Sequence, residues 1–497
     1  MMQAGKKTPV DDNGKTIVAK VWNFCNVLRD DGVQYTQYLE QISNLIFLKM
    51  DDERCKRGRQ ASDIPKEYNW DSLKQRSGNE LKDHYDVTLQ KLGEKQGLLG
   101  LIFKDTKNRC RFPSTLTRLI QLIDSETWSG MTVDVKGEIY EGLLEKNAQE
   151  SKSGAGQYFT PRPLIDCIVK VIQPKPGETV GEPACGTGGF ILGIQKYILK
   201  NNKTMNRRQL KMLSENTFYA WDIVSEVIRM CAMNMFIHGI KMDQKHLINT
   251  DVLANRPTKY FDIVCTNPPF GKKSTNKSIT ESGKIIRQSR VYERDDFWVS
   301  TSDKQLNFLQ HVRLMLKING RCAIVLPDSV LSDINNAAKT IRRKLLQECD
   351  VHTLLRLPTG IFYAPGVKTN VLFFDKLPVS PGVPSTKKIW VYDLRTGKSF
   401  SQKENPMTSN ELEDFIKCYN APNKNKRVSS KRFKAYSYEE IMKDDDMSLN
   451  LQWLDQTTDA ENLPEPLEIA ESIRKNLEES CISMDKVISM LKEPKTL

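Results

Sequence analysis

The sequence predicts an α/β protein with a doubly wound sheet, carried behind an all-helical N-terminal domain and ahead of a helical C-terminal tail. Three observations predict it. Apolar residues recur at helical spacing through the first 150 residues or so. Short apolar strands alternate with helices after that, and strand-forming stretches thin out beyond Ser399.

A chain of 497 residues exceeds what one core favours. We read three regions: a helical N-terminal domain over 1–150, a catalytic domain over 151–400 and a mostly helical region over 401–497. In the first, Val21, Phe24, Val27 and Leu28, then Tyr38, Leu39, Ile42, Leu45, Ile46 and Leu48, share helix faces. Leu116–Ile123 and Lys136–Glu145 continue the pattern, and the polar, Gly-containing Lys146–Gly156 is a linker. Strands are expected at Glu178–Glu182, Phe218–Trp221, Phe261–Thr266, Arg321–Leu326, Val351–Leu357, Val371–Phe374 and Ile389–Asp393. In the third region Leu467, Ile469, Ile473, Leu477, Ile482, Val487 and Leu491 are helically spaced. The basic run Asn423–Lys434 reads as a solvated loop.

Composition narrows the function classes. Lys and Arg number 74 against 62 Asp and Glu, a net charge of +12 that favours a polyanionic partner without establishing one. No apolar run approaches the length that spans a bilayer, and the polar N-terminus MMQAGKKTPVDDNGK is unlike a signal sequence. No membrane association and a cytoplasmic location are therefore expected. The 11 cysteines form no CxxC pair and no His-Cys cluster at zinc spacing, so they read as buried thiols and no metal is expected.

The first chemical constellation is Glu182-Pro183-Ala-Cys-Gly186-Thr187-Gly188-Gly189-Phe190, between an expected strand and the helical run Ile191–Leu199. Glycines at such a turn let the backbone approach a ligand closely. The loop lacks both the pyrophosphate-cradling dinucleotide pattern and the Gly-Lys-Ser/Thr of a P-loop, and the acid at Glu182 suits a cationic ligand better than a phosphate. S-adenosylmethionine, with its sulfonium and amino group, is such a ligand; a mere tight turn is the plainer alternative. Asp222 closes the next strand, where α/β cofactor folds place a carboxylate on ribose hydroxyls. Asp251, after a further expected strand, can accept from an adenine amino group, although such an aspartate alone is also a helix cap.

The second constellation, Asn267-Pro268-Pro269-Phe270, follows the strand Phe261–Thr266 and so sits at a strand's C-terminal end. The prolines stiffen the turn. The Asn267 side-chain oxygen and the Pro268 carbonyl can both accept from one planar amine, and Phe270 offers a face for stacking a base. An exocyclic amine lends its lone pair to the ring, so two acceptors that draw its hydrogens towards tetrahedral geometry help it attack a methyl group.

Gly156–Arg162 (GQYFTPR), Glu182–Phe190 and Asn267–Gly271, in this order, closely resemble the modification subunit of type I restriction-modification systems, an N6-adenine DNA methyltransferase family. The resemblance covers most of the chain, including Tyr38–Met50, Gly137–Leu144, Val224–Gly239 and Leu357–Phe374. It implies an S-adenosylmethionine-dependent methyltransferase sheet. It also implies that Gln157, Tyr158, Phe159, Thr160, Pro161 and Arg162, with Thr187–Gly189, line the cofactor site. Glu182 would approach the methionine part, Asp222 the ribose and Asp251 the adenine. Asn267, Pro268 and Phe270 would hold the target adenine. Two departures are visible: the family more often has Asp at Glu182 and Glu at Asp222, and both keep the charge.

The target nitrogen is inaccessible inside a duplex, so the adenine must be flipped out. With the sheet ending near Asp393 and a short helical tail after it, a target-reading chain is expected elsewhere. The resemblance implies double-stranded DNA as substrate and two copies of this subunit on one separate specificity subunit. A motor-nuclease restriction subunit can add cleavage. The helices around Leu467–Leu491 are a candidate contact with the specificity subunit. The polar segment Gly271–Ser300 holds Lys272, Lys273, Lys277, Lys284, Arg287, Arg290 and Arg294 with Tyr292, Phe297 and Trp298, and is long for a connection. It reads as a basic lid over DNA phosphates or as a solvated insertion. Rival functions are methyl transfer to RNA or to a protein glutamine amide, and a non-catalytic DNA-binding assembly subunit.

Overall fold

The computed structural model describes residues 23–33, 37–56, 62–126, 128, 160–271, 275–279, 285–289, 291–362, 368–395, 400–401, 405–451, 453–454 and 474. Outside them lie Val21, Lys136–Glu145, the linker Lys146–Gly156, Gln157, Tyr158, Phe159, Cys481 and nearly all of the expected terminal helix. The chain forms two compact units, Met1–Leu394 with Ser399–Leu451, and Arg395–Lys398 with Gln452–Leu497. In the second, the described residues are Arg395, Trp453, Leu454 and a helical Arg474.

The described part of the N-terminal region is helical, as its periodicity predicts. A helix at 23–30 is followed by α1 (Tyr38–Lys56), α2 (Trp70–Lys74), α3 (Gly78–Gly93), α4 (Leu98–Phe103) and α5 (Pro113–Asp124). In α3 the buried residues Leu81, Tyr85, Leu89 and Leu92 repeat at the period of one helix face. The α3–α4 approach is close: a Cβ on Gly93 would lie 2.7 Å from the Phe103 carbonyl oxygen, so only glycine fits. Asp124, ending α5, accepts from Lys49 Nζ and Trp70 Nε1, both at 2.8 Å, tying α1, α2 and α5 together.

The catalytic region folds as α6 (Arg162–Ile172), β1 (Val180–Glu182), α7 (Gly189–Asn201), α8 (Arg207–Glu215), β2 (Phe218–Asp222), α9 (Ser225–Ile237), β3 (Leu247–Asn249) and β4 (Phe261–Thr266). It continues with β5 (Thr275–Ile279), β6 (Ile285–Ser289), α10 (Lys304–Met315), β7 (Leu316–Pro327), α11 (Asp328–Ser332), α12 (Asn336–Glu348) and β8 (Cys349–Arg356). Then come β9 (Thr369–Lys376), β10 (Lys388–Asp393), α13 (Glu413–Tyr419), β11 (Phe433–Ser437) and α14 (Tyr438–Met442). The main sheet has nine strands in the order β11-β10-β8-β9-β7-β4-β1-β2-β3. β4, β1, β2 and β3 run parallel, with Val180 paired to both Phe218 and Ile263. β9 is inserted antiparallel between β7 and β8, with Ile324 opposite Leu372. Helices cover the central strands, which explains the nearly unbroken apolar runs in β4, β7 and β9.

Among the described residues beyond Ser399, β11 adds an antiparallel edge to β10, with Trp390 opposite Ala435. The polar segment after Phe270 contains the antiparallel pair β5–β6. One reading needs correction: the basic run Asn423–Lys434 is not merely a solvated loop, because it supplies cations to acceptors in the sheet. Arg427 is buried and donates to the Tyr419 carbonyl at 2.6 Å and to Thr353 Oγ1 at 2.9 Å. Lys424 donates to Asp375 at 2.8 Å. Composition marks such residues as polar and cannot show the acceptors folded against them. The described cysteines are free thiols, buried except for the half-buried Cys55 and Cys418.

Candidate active site

Because β4, β1, β2 and β3 are parallel neighbours, their C-terminal ends share one edge of the sheet. Glu182 ends β1, Asp222 ends β2, Asp251 follows β3 and Asn267 follows β4. All four line one cavity of ≈ 260 Å³, together with Thr160, Arg162, Pro183, Gly186, Thr187, Gly189 and Pro269. Residues more than a hundred positions apart in sequence thus meet at one site.

The glycine turn forms its floor. Gly186 and Gly188 have φ of 53° and 82°, a region that favours glycine. At Gly188 a Cβ would also lie 2.5 Å from the Met235 methyl. The turn is fixed from two sides: Cys185 N donates to the Trp221 carbonyl at 2.9 Å, and Asn234 Nδ2, on α9, donates to the Thr187 carbonyl at 2.9 Å. Asn234 falls within the Val224–Gly239 block, but nothing in its local pattern marked it as a support of the loop. Pro161 and Gly188 sit behind the lining: the Pro161 carbonyl accepts from Leu164 N and Ile165 N at the start of α6, and Gly188 caps α7.

The carboxylates differ in environment. Glu182 is 2% exposed and its Oε2 has no hydrogen-bond partner. Burial holds this carboxyl well above the usual carboxylate range, and the neighbouring Cys231 and Asp222 push it the same way. Burial also raises Asp222, against the backbone N–H groups of Val224 and Gly186, which donate to its two oxygens at 2.9 and 3.2 Å. A buried carboxyl lacking a partner is stabilised by a cation, so the floor fits the positive end of a ligand. Asp251 caps the turn that follows it and also faces the cavity. Its Oδ1 accepts from Leu253 N at 3.1 Å as a cap, and Oδ2 accepts from the Tyr292 hydroxyl at 2.9 Å on the cavity wall.

Sequence reasoning missed the apolar walls. Ile223, 63% exposed directly after Asp222, and Leu253 and Phe308 line the cavity where a planar ring can lie. No sequence signal marked Ile223, because its exposure at the cavity is a property of the fold. Tyr292 and Phe297, read only as part of a polar segment, are buried in a small cluster with Leu253 and Phe308. Arg294 anchors that stretch by donating to the Leu253 carbonyl at 3.3 Å and to His311 Nδ1 at 2.9 Å.

At the other end, Asn267 Nδ2 donates to Thr160 Oγ1 at 3.1 Å, while Asn267 Oδ1 is buried and accepts nothing. Pro268 is buried, and the Pro269 carbonyl accepts from Gln305 Nε2 on α10. Phe270 is not among the cavity-lining residues. It is half-buried and meets Phe362 edge-to-face, with ring centroids 5.6 Å apart. Gln157, Tyr158 and Phe159 lie outside the described residues.

Comparisons with known proteins give the chain's family and fold. Residues 131–462 match the N-6 DNA Methylase family, and residues 17–124 match the HsdM N-terminal domain. The chain is 36% identical to the type I restriction enzyme StySPI methylase subunit of Salmonella potsdam, across 91% of each chain. It is 35% identical to the EcoKI methylase subunit of Escherichia coli K12, across 96% of each. A chain solved in work on complex assembly and conformational transition of the type I R-M system is 25% identical. That alignment covers 97% of this chain and 99% of that one, with a TM-score of 0.71.

Proposed function

The chain belongs to the N-6 DNA methylase family, among the type I restriction enzyme methylase subunits, and on that premise we propose how its residues divide the work. It uses S-adenosylmethionine to methylate the N6 amino group of adenine in DNA. When bound, the cofactor supplies a methyl group on a positively charged sulfur.

In our reading Glu182 offers its unpartnered oxygen to the cationic methionine end, and Asp222 takes the ribose hydroxyls. Asp251, Ile223 and Leu253 hold the adenine, with Thr187, Gly186 and Gly189 leaving room for the ligand. Arg162 supports this floor by donating to the Gly189 carbonyl at 3.4 Å. Asn267 Oδ1 and the Pro268 carbonyl accept the two hydrogens of the target amine. Its lone pair is then free to attack, and the surplus proton leaves to solvent. The adenine reaches them by flipping out of the duplex, and the face of Phe270 opposite Phe362 stacks on it. The observation that carries this reading is the buried, unpartnered Oδ1 of Asn267 at the sheet edge that also holds Glu182 and Asp222.

The β5–β6 pair, followed by the anchored stretch Tyr292–Phe297, is placed in this proposal as a basic lid over DNA phosphates. Two copies of the chain join a separate specificity subunit that reads the DNA, through Leu467–Leu491, and a motor-nuclease subunit can join them in the cytoplasm. The test is transfer of labelled methyl groups to DNA by this chain alone and with the product of its neighbouring gene, followed by nucleoside analysis. N6-methyladenine formed only with the neighbour supports the two-chain arrangement. Full activity of the chain alone places DNA reading within it.

A further inference from the structure

We infer that Thr160 is a positioning residue for Asn267, fixing which end of that side-chain amide faces the substrate; the inference rests on the reading that Asn267 holds the target amine. An asparagine amide has opposed ends, one accepting and one donating. Only the accepting end can receive a hydrogen from an exocyclic amine. Rotated by half a turn, the amide would set its own N–H groups against those of the substrate, donor against donor.

Thr160 gives the donor end somewhere to go. Its Oγ1 lies 3.1 Å from Asn267 Nδ2, and Asn267 Oδ1 is left buried and unpartnered at the cavity that both residues line. The hydroxyl is itself held by rigid neighbours. Pro161 follows immediately, and its carbonyl accepts from Leu164 N at 3.0 Å and Ile165 N at 3.1 Å, locking the first turn of α6. That helix is wedged against the glycine loop, where a Cβ on Gly189 would come within 2.9 Å of Ile165 Cδ1. The segment that carries Thr160 thus also packs against the glycine loop. Removing the hydroxyl takes this acceptor from the Asn267 –NH2 and frees the amide to rotate, which lowers the fraction of molecules able to accept the amine.

The experiment compares Thr160→Val, which keeps the shape and removes the acceptor, with Thr160→Ser, which keeps the acceptor. Single-turnover methyl transfer to DNA is measured at saturating S-adenosylmethionine, using the full chain in whichever assembly is active. Cofactor affinity is measured separately by calorimetry. We expect Thr160→Val to slow transfer at saturating cofactor about 10- to 100-fold, beyond whatever change the loss of this cavity-lining hydroxyl makes in cofactor affinity, and Thr160→Ser to restore most of the rate. An unchanged rate in Thr160→Val, a loss explained wholly by weaker cofactor binding, or no rescue by serine would overturn the inference. None of these touches the assignment of Asn267, which is tested by Asn267→Ala in the same assay. Full activity of that variant removes both readings together.

Discussion

Asn267 and Asp222 occupy neighbouring strand ends of one cavity, yet their surroundings suit different ligands. Asn267 keeps a buried free acceptor, whereas both Asp222 oxygens already receive backbone N–H groups that fix the carboxylate in place. Asn267→Ala should abolish methyl transfer and leave cofactor affinity nearly intact. Asp222→Ala should weaken the cofactor itself by about 10-fold or more, the order expected from losing charged hydrogen bonds. Calorimetry and transfer assays on the two variants check this, and equal loss of cofactor binding in both would sink the division of roles. At this scale the sequence was informative where a motif dictates backbone: the glycine turn and Asn-Pro-Pro-Phe were legible because few residues can replace theirs. Ile223, Asn234 and Gln305 were not, since their roles come from what is folded against them.

At the scale of elements, two histidines are held neutral by the parts that pack on them. In β8, His352 is driven down to about 4 by burial, and Lys424 from the basic run donates to its Nε2 at 3.1 Å. In α10, His311 is driven down to about 3 by burial and by Arg294, which donates to its Nδ1. The unfolded chain takes up these protons first, near the ordinary histidine value of about 6.5. Their contribution is therefore complete above that pH and declines as pH falls towards 4 for His352 and 3 for His311. Each should cost about 1.4 kcal/mol of stability per pH unit below 6.5. Urea unfolding at pH 7.5 and 5.5 measures the slope. His352→Gln should flatten it, and an unchanged slope would show that this histidine is not held neutral. The strands themselves were legible from apolar runs. β11 and the β5–β6 pair were missed because polar edge and hairpin strands carry little apolar signal.

Across the whole first unit, the helical segment and the sheet meet through α9, where the buried Arg229 donates to Glu40 at 2.6 Å and to the Lys104 carbonyl at 3.2 Å. Phe47 packs on Phe236 beside them, with ring centroids 4.6 Å apart. Arg229→Met leaves Glu40 without its cation and should destabilise the unit by about 3 kcal/mol. A further Glu40→Leu change should recover most of that loss, and denaturant unfolding of the single and double variants tests it. The same helix supplies Asn234 to the glycine loop, so α9 links the helical segment to the floor of the cavity.

By itself the sequence determined the α/β class, the helical N-terminal region and the family, and it pointed to motif residues, several of which line one cavity. These rest on local rules, namely apolar period, turn chemistry and short motifs whose spacing is fixed by the backbone. The tertiary structure alone decided that Glu182, Asp222, Asp251 and Asn267 share one cavity, because parallel strands bring separated chain positions to a single edge. It also decided which side chains support them. Thr160 meets Asn267 across 107 residues and Arg229 meets Glu40 across 189, and no periodicity within either segment encodes such a partner.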